Sequence, residues 1–265
     1  MADTPPRRIG AFVLIAALFA IGGAGLGWWY ENHRAGAASG EDLQLEASLA
    51  SAGIDGKQRA AIEGLVRSYI LEHPEVLPEA MERLQQRESA AQIAPMRGAL
   101  ETPFPGAVLG NPNGKVTLVE FTDFACTYCR QSVKALEGLI ASNPDLRVVV
   151  RELPIIAPES APAARMALAA AAQGKYPAYH KRMFEGPRPS EASIAAAASA
   201  AGLDMVTART FAARSDVEDE LKRNLDLARQ LGVNGTPAWV IGERMIHGAV
   251  PAEDLQSAID AARKG

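Results

Sequence analysis

The succession of a strand, a helix and a second strand between residues 116 and 153 most constrains the fold of this 265-residue chain. "VTLVEF" (Val116 to Phe121) and "LRVVVREL" (Leu146 to Leu153) are short, β-branched apolar runs typical of strands. A helix is expected between them, from about Cys126 to Ala141. A βαβ unit of this length favours parallel pairing of its two strands. The sequence therefore predicts an α/β domain.

The rest of this domain is mostly helical by pattern. An alanine-rich stretch from Ser160 to Ala213 predicts several helices without a strand, and Asp216 to Val233 predicts one long amphipathic helix. Two short strands, "AWVIG" and "RMIHG", follow. A last helix is expected from about Pro251 to Arg263, because proline is tolerated at a helix start.

The two cysteines of the chain, Cys126 and Cys129, lie three positions apart at the start of the expected helix. This spacing allows a disulfide, but as a crosslink so short a loop contributes only about 1.9 kcal/mol. A zinc site needs four ligands, or three and a water, and the chain has no further cysteine. A helix N-terminus favours a thiolate and lowers its pKa from about 8.5. The pattern thus favours a redox centre with Cys126 as exposed nucleophile and Cys129 as buried resolving thiol.

Two further residues are candidates for the same redox site. Glu120 lies six residues before Cys126 in an otherwise apolar strand. It is either a buried carboxyl that exchanges a proton with Cys129, or an exposed carboxylate at a strand end. Pro237, in "GTPAWV", begins a strand, where proline is tolerated. Because only about 5 to 6 per cent of X–Pro bonds are cis, the sequence alone predicts a trans bond.

The N-terminal region predicts export. Arg7 and Arg8 precede an uncharged run, Ile9 to Tyr30, that would span about 33 Å as a helix against a hydrocarbon core of about 30 Å. An aromatic cluster ends the run, as at a membrane interface. We expect an uncleaved anchor with the following chain on the periplasmic side; the alternative is a signal peptide cleaved near Ala35 to Ser39. Both place the remaining chain in an oxidising compartment.

A helical segment precedes the main domain. Residues 43–93 show helical periodicity without a strand signal, and Pro74 and Pro78 are expected to break them into short helices. The apolar stripe of this segment comprises Ile62, Leu65, Val66, Tyr69, Ile70, Val76, Leu77, Met81 and Leu84. So few helices cannot bury this stripe among themselves. We expect the stripe to dock on copies of itself; the alternative is that it docks on the main domain. Residues 94–115, rich in Pro and Gly, are expected to be a linker.

"VEFTDFACTYC", "GTPAWVIG" and the helical stretch between them resemble the thioredoxin-like disulfide oxidoreductases of the DsbA type, over about residues 104–265. By that resemblance Cys126 is the nucleophile, Cys129 resolves, and Glu120 matches the buried acid. Thr236-Pro237 matches a loop whose cis-proline faces the disulfide and holds extended substrate backbone. The resemblance also implies a thioredoxin fold with a helical domain inserted at about 158–213.

A finer likeness concerns the helical segment. "SYILEHPEVLPEAMERLQQRE" (Ser68 to Glu88) resembles the N-terminal helices of exported Com-type and copper-sensitivity-suppressor-type relatives, in which such a segment makes dimers or trimers and supports isomerisation. Thr127 and Tyr128 stand where the strongly oxidising members carry Pro-His, and Thr236 is similar to isomerase-type members. These three residues and Pro237 are the expected substrate contacts.

The predicted organisation is thus an α/β thioredoxin fold behind a transmembrane helix and an oligomerisation segment. Its parts are a cytoplasmic N-terminus (1–8), the anchor or signal peptide (9–30), a tether (31–42), the helical segment (43–93), the linker (94–115) and the thioredoxin-like domain (116–265). The leading hypothesis is an oxidoreductase acting on exported cysteine-containing proteins, with isomerase or reductase work preferred and a membrane thiol-disulfide partner supplying electrons. The alternatives are a dedicated oxidase recharged by a quinone-linked membrane partner, and a non-catalytic holdase.

The net charge of the chain argues against one class of binding partner. A formal net charge of -4 leaves no basic footprint for nucleic acid, so none is expected as a partner. No cofactor is expected beyond the redox-active disulfide Cys126–Cys129, and no metal.

Overall fold

The computed structural model describes residues 40–264, and the chain divides into two compact units between Leu77 and Pro78. The anchor or signal peptide predicted at 9–30 and most of the predicted tether lie outside the described residues. Within residues 40–264, none of the helices combines the length and the apolar character that crossing a bilayer requires.

The first unit is helical, as the sequence predicted. It contains α1 (Gly40–Ser51) and α2 (Gly56–Glu72). Asp55 begins α2 with a capping box: its carboxyl accepts from the amide of Gln58, and the Gln58 side chain accepts from the Asp55 amide. No residue of α2 is buried, so its apolar stripe is not covered by any described residue of this unit.

The helix α3 (Val76–Ile93) corrects one expectation about proline. Pro74 separates α2 from α3, but Pro78 lies in the first turn of α3 and does not break it. The first amides of a helix have no partner within the helix, so the missing N–H of a proline costs nothing there. The end of α3 packs into the second unit, where Ser89 and Ile93 are buried.

The predicted linker at 94–115 is also corrected, because much of it is regular structure. It holds a 3₁₀ turn (Ala94–Met96), α4 (Arg97–Glu101) and the strand β1 (Val108–Gly110). The buried guanidinium of Arg151 donates to the carbonyl of Leu100 at 2.9 Å and to those of two neighbouring residues. Leu100 itself is fully buried. These contacts fasten the segment to the sheet.

The second unit is built on a mixed five-stranded sheet. Its strands are β1, β2 (Val116–Thr122), β3 (Leu146–Glu152), β4 (Ala238–Ile241) and β5 (Arg244–His247), in the order β1-β3-β2-β4-β5. β2 and β3 are parallel, as predicted, and the other three pairings are antiparallel. The two parallel strands are buried on both faces, which explains their near-continuous apolar sequences.

Helices cover both faces of the sheet. α5 (Thr127–Ser142) connects β2 to β3. The inserted helices are α6 (Ser160–Ala172), α7 (Tyr176–Glu185), α8 (Glu191–Ala200) and α9 (Met205–Ala212), followed by α10 (Ser215–Gln230) and, after β5, α11 (Ala252–Ala262). One core joins Leu118 and Val148 to the insertion and to both cysteines; the other joins Val119 and Val149 to α10 and Leu100. The cysteine pair therefore lies between the sheet and the inserted helices.

Candidate redox site

Cys126 is the residue at which the loop after β2 becomes the helix α5. It is the N-cap of α5, and its Sγ accepts a hydrogen bond from the Cys129 amide at 3.3 Å. Oxygen-bearing side chains usually hold this position, so here a sulfur satisfies one of the free amides of the first turn. The unpaired amides and the helix dipole place partial positive charge next to this sulfur. The pair thus lies at a helix N-terminus, where the sequence predicted it.

The exposure of Cys126 differs from the expectation. Both cysteines are free thiols and both are buried, with Cys126 only 5% exposed. The Cys126 thiol donates to the carbonyl oxygen of Thr236 at 3.1 Å, so the loop before β4 lies across the sulfur. Cys126 was predicted to be an exposed nucleophile. In the structure it is largely buried instead, because the Thr236 carbonyl, 110 residues away in sequence, lies against its sulfur.

The loop that covers the sulfur contains the cis bond that the resemblance implied. The Thr236–Pro237 peptide bond is cis, so the trans bond expected from sequence alone is wrong. The Pro237 carbonyl accepts from the Gly248 amide at 2.8 Å, and the Trp239 indole donates to the Gly248 carbonyl at 3.0 Å. These bonds hold the loop against the β4–β5 hairpin.

Glu120 is buried in the middle of β2. It lies between Val150 of β3 and Trp239 of β4, so the interpretation as an exposed strand-end carboxylate is wrong. Burial raises the pKa of Glu120 to about 8, and the Thr122 hydroxyl opposes the rise. A carboxyl with such a pKa can both give and take a proton near neutral pH.

Cys129 lies one helical turn into α5 and is fully buried. Burial raises the pKa of its thiol far above the ordinary value, and the charge of Glu120 raises it further. The hydroxyls of Thr236 and Thr122 and the backbone of Asp123 oppose the rise. Cys129 is therefore held as a thiol, and it needs a nearby proton acceptor before it can react as a thiolate.

Asp123 is a buried residue of this site that the sequence analysis did not single out. Its Oδ1 accepts from the Ala125 amide at 2.8 Å and its carbonyl from the Cys126 amide at 3.0 Å. Its Oδ2 accepts from the amides of Ile155 and Ile156, at 2.8 and 2.9 Å. An aspartate that bonds two residues ahead is a common turn pattern, but the bonds to the loop after β3 have no local signal. Asp123 thus joins the redox loop to the β3–α6 loop.

An apolar rim is formed by exposed side chains at the start of α5 and in the β3–α6 loop, the two segments that Asp123 joins. Tyr128, Ile155 and Ile156 are exposed, and Thr127 beside them is exposed as well. Elsewhere in residues 94–264, Val206 is the one other large apolar side chain with such exposure. Exposed apolar side chains gathered at one place indicate a binding surface.

His180 lies in an aromatic cluster on the insertion. Its ring packs near Phe124, Tyr176 and Phe184, and its Nε2 is buried without a hydrogen-bond partner. Burial lowers the pKa of His180 to about 4. Across residues 40–264, no three His, Cys, Asp or Glu side chains are grouped so that they could hold a metal ion.

A family model described as the DSBA-like thioredoxin domain matches residues 117–260, which contain the whole βαβ unit, both cysteines and the cis-proline loop. This chain belongs to that family. A second family model, described as the N-terminal domain of the copper resistance protein ScsC, matches residues 58–91.

Solved structures agree with this family. A thioredoxin-like oxidoreductase from Silicibacter pomeroyi DSS-3 is 40% identical, with a TM-score of 0.58 over 60% of this chain and 92% of its own. A linker-deletion mutant of ScsC from Proteus mirabilis is 29% identical, with a TM-score of 0.61 over 80% of this chain and 97% of its own.

Curated relatives include membrane transporters. The Na(+)/H(+) antiporter NhaA 3 of Salinispora tropica is 31% identical over 160 residues, which cover 58% of this chain and 24% of the antiporter. The DSBA-like chain thus spans about a quarter of the length of the antiporters it matches.

Proposed function

We propose that this DSBA-like chain rearranges or reduces disulfides in exported proteins, in preference to net oxidation. The observation that carries the proposal is the placement of a dithiol at a helix N-terminus, with the Cys126 sulfur 3.1 Å from the Thr236 carbonyl and a fully buried Cys129 beneath it. The two thiols differ in access and in charge environment, which supports a division between attack and resolution.

The reaction begins at Cys126. Its thiolate attacks one sulfur of a substrate disulfide, forms a mixed disulfide and releases the other substrate sulfur as a thiolate. In isomerisation that thiolate, or another of the substrate, attacks again and frees Cys126. In reduction Cys129 loses its proton and attacks Cys126, which forms the Cys126–Cys129 disulfide and releases the second substrate thiolate.

Substrate contacts are proposed for four residues beside the sulfur. The Thr236-Pro237 loop lies against Cys126, and its backbone is placed to pair with an extended substrate chain. Thr127 and Tyr128 are the exposed residues between the cysteines, and Tyr128 continues the apolar rim. An unfolded chain offers both features that this surface fits, extended backbone and apolar side chains.

The preference for isomerisation rests on the first unit. The α2 stripe is exposed, with Leu65 70% accessible, and it is continuous with the segment that matches the ScsC N-terminal model. We infer that it joins copies of the chain, so that several redox sites face one substrate. The predicted anchor would hold this assembly on the periplasmic side, where a membrane thiol-disulfide partner would keep Cys126 and Cys129 reduced.

The test compares the full chain with the double variant Leu65→Gln and Tyr69→Gln, both exposed on α2. We expect the variant to lose self-association in sedimentation and to lose unscrambling of a scrambled disulfide substrate, while its oxidation of a reduced substrate is unchanged. The matched control is Glu63→Gln on the same helix. Cys126→Ala should abolish both activities.

Three results would contradict this proposal. If the double variant dissociates and still unscrambles at the full rate, the isomerase proposal is wrong. If the unaltered chain oxidises the reduced substrate but unscrambles nothing, the protein is a dedicated oxidase. If Cys126→Ala keeps full activity in the cell, a holdase function replaces both.

A further inference from the structure

Glu152, the last residue of β3, is a buried carboxyl to which the redox steps above assign no part. Its Oε1 accepts a hydrogen bond from the Tyr176 hydroxyl of α7 at 2.7 Å, and its backbone carbonyl accepts from the Asn224 amide of α10 at 3.1 Å. Its Oε2 is buried and has no hydrogen-bond partner. The side chain is therefore fixed on one side and unpaired on the other.

The strand register places Glu152 on the same face of the sheet as the redox acid. In the parallel pairing of β2 and β3, Glu120 lies opposite Val150, and Thr122 lies opposite Glu152. Paired residues point to the same face, and Val150 belongs to the core that contains Cys129. Glu120 and Glu152 are thus diagonal neighbours, with Thr122 beside both.

Three buried oxygens of this group, Glu120 Oε2, Thr122 Oγ1 and Glu152 Oε2, make no hydrogen bond of ordinary length, although the Thr122 hydroxyl lies close enough to Glu120 to affect its pKa. A buried polar atom without a partner costs about 1–3 kcal/mol, so each such atom in a native protein calls for an explanation. Glu120 and Thr122 both affect the pKa of the Cys129 thiol, and Glu152 lies next to Thr122 on the same face of the sheet. The group lies where a charge forms when Cys129 gives up its proton.

The environment of Glu152 favours the protonated form of its carboxyl. Burial raises its pKa well above the ordinary value, the Tyr176 hydroxyl opposes this, and the charges of Asp123 and Glu120 raise the pKa further. The charge of Glu152 also contributes to raising the pKa of Tyr179 of α7. None of these four neighbours is a cation. Because Oε1 accepts from Tyr176, Oε2 is the oxygen of Glu152 that is available to carry a proton and donate it.

We propose that Glu152 is a positioning residue of the redox site: Tyr176 fixes its carboxyl beside Thr122, so that its unpaired oxygen can donate, by way of the Thr122 hydroxyl, to the Glu120 carboxylate when that carboxylate accepts the proton of Cys129. The inference rests on the redox function proposed above and identifies what assists its proton transfer. Tyr176 sets the orientation of the carboxyl, so the inserted helices contribute to the chemistry at the sheet.

The step concerned is the release of substrate from the mixed disulfide. The proton of the Cys129 thiol passes to the carboxylate of Glu120. The Cys129 thiolate attacks the Cys126 sulfur, the Cys126–Cys129 bond forms, and the bond to the substrate sulfur breaks with its electron pair on the substrate thiolate. Before it accepts this proton, the Glu120 carboxylate is a charge in a buried site, and a hydrogen-bond donor beside it stabilises that charge.

The experiment uses the full chain carrying glutathione on Cys126, and it measures the rate at which Cys129 releases glutathione across the pH range. Glu152→Gln can still accept from Tyr176 and donate toward Thr122, so we expect the pH midpoint of the wild type. Glu152→Met can do neither, so we expect its midpoint to rise by about one pH unit, which is tenfold slower release below the midpoint. Tyr176→Phe should shift the midpoint in the same direction by less.

A midpoint in Glu152→Met equal to that of the wild type overturns the proposal. So does a Gln variant shifted as far as the Met variant, because that result would assign the effect to ionisation of Glu152. If the Met variant does not fold by circular dichroism, Tyr176→Phe decides, and an unshifted midpoint there rejects the role. Failure of the redox function itself is separate, since it would appear as no glutathione release in the wild type.

Discussion

Glu120 and His180 are buried ionisable side chains whose pKa values shift in opposite directions. Burial raises the pKa of Glu120 from 4.5 to about 8, and the Thr122 hydroxyl opposes the rise. Burial lowers the pKa of His180 from 6.5 to about 4. Glu120 therefore contributes stability that is complete below pH 4.5 and is lost as the pH rises through about 8. His180 contributes stability that is complete above pH 6.5 and is lost as the pH falls through about 4.

Glu120→Gln should remove the first of these effects. Between about pH 5 and 8, we expect the free energy of unfolding of the reduced wild type to fall, relative to the Gln variant, by about 1.4 kcal/mol per pH unit. Urea unfolding in excess reductant at several pH values measures the difference. Glu243→Gln, which removes an exposed carboxyl, is the control. Parallel curves for wild type and Glu120→Gln would contradict the account of this site.

At the scale of elements, the β3–α6 loop is part of the redox site although it is distant in sequence. Asp123 holds the amides of Ile155 and Ile156 and, at the same time, those of Ala125 and Cys126. The two loops are fixed to each other through the carboxyl of Asp123, whose Oδ1 accepts from the first loop and whose Oδ2 accepts from the second. The apolar side chains of the second loop are therefore held beside the sulfur of the first.

Ile155→Ser should weaken substrate binding without loss of stability. Because the side chain is only partly buried in the free protein, we expect a loss of about 1 kcal/mol, or roughly five-fold in kcat/KM, for a peptide with apolar residues next to its cysteine. A peptide with polar residues there should be unaffected. Val206→Ser, at an exposed apolar residue of the insertion, is the matched control. Equal rates for wild type and Ile155→Ser on the apolar peptide would exclude this loop from substrate binding.

At the scale of the whole molecule, the second unit begins at Pro78, well before residue 116, where the sequence analysis placed the start of the thioredoxin-like domain. Its sheet packs against Ile93 and Leu100, and the buried guanidinium of Arg151 depends on carbonyls of α4 and on Glu220 at 2.8 Å. A buried charge that loses its partners destabilises a protein by about 3–5 kcal/mol. The segment before β1 is thus part of the fold of the second unit.

A fragment that starts at Pro78 should keep the stability of this unit, whereas one that starts at Phe104 should lose several kcal/mol. The second fragment lacks Ile93, Leu100 and the carbonyls that Arg151 binds. Urea unfolding of the two fragments measures the difference. Equal midpoints would show that the segment before β1 does not support the sheet.

Local patterns predicted the strands β2 to β5, the parallel pairing of β2 and β3, most helices and the position of the cysteine pair, because each depends on a few neighbouring residues; β1 lay in the segment predicted to be a linker. Three features of the site depend on contacts that no local pattern contains. The Thr236 carbonyl covers Cys126 across 110 residues, and Asp123 binds Ile155 across 32. Arg151 orders a proline- and glycine-rich segment that by composition resembled a linker. Each is a pairing of polar groups in a folded interior, where burial decides the partner.

Arg151 and Glu152 are consecutive in β3 and face opposite cores. Arg151 pairs in register with Phe121 and binds α4, while Glu152 pairs with Thr122 beneath the redox site. A slip of one residue between β2 and β3 would exchange them, placing a guanidinium under Cys129 and a carboxyl among the carbonyls of α4. Either misplacement leaves an uncompensated charge in a dry interior. The opposite requirements of these two adjacent side chains thus favour the observed register of β2 and β3 over one shifted by a single residue.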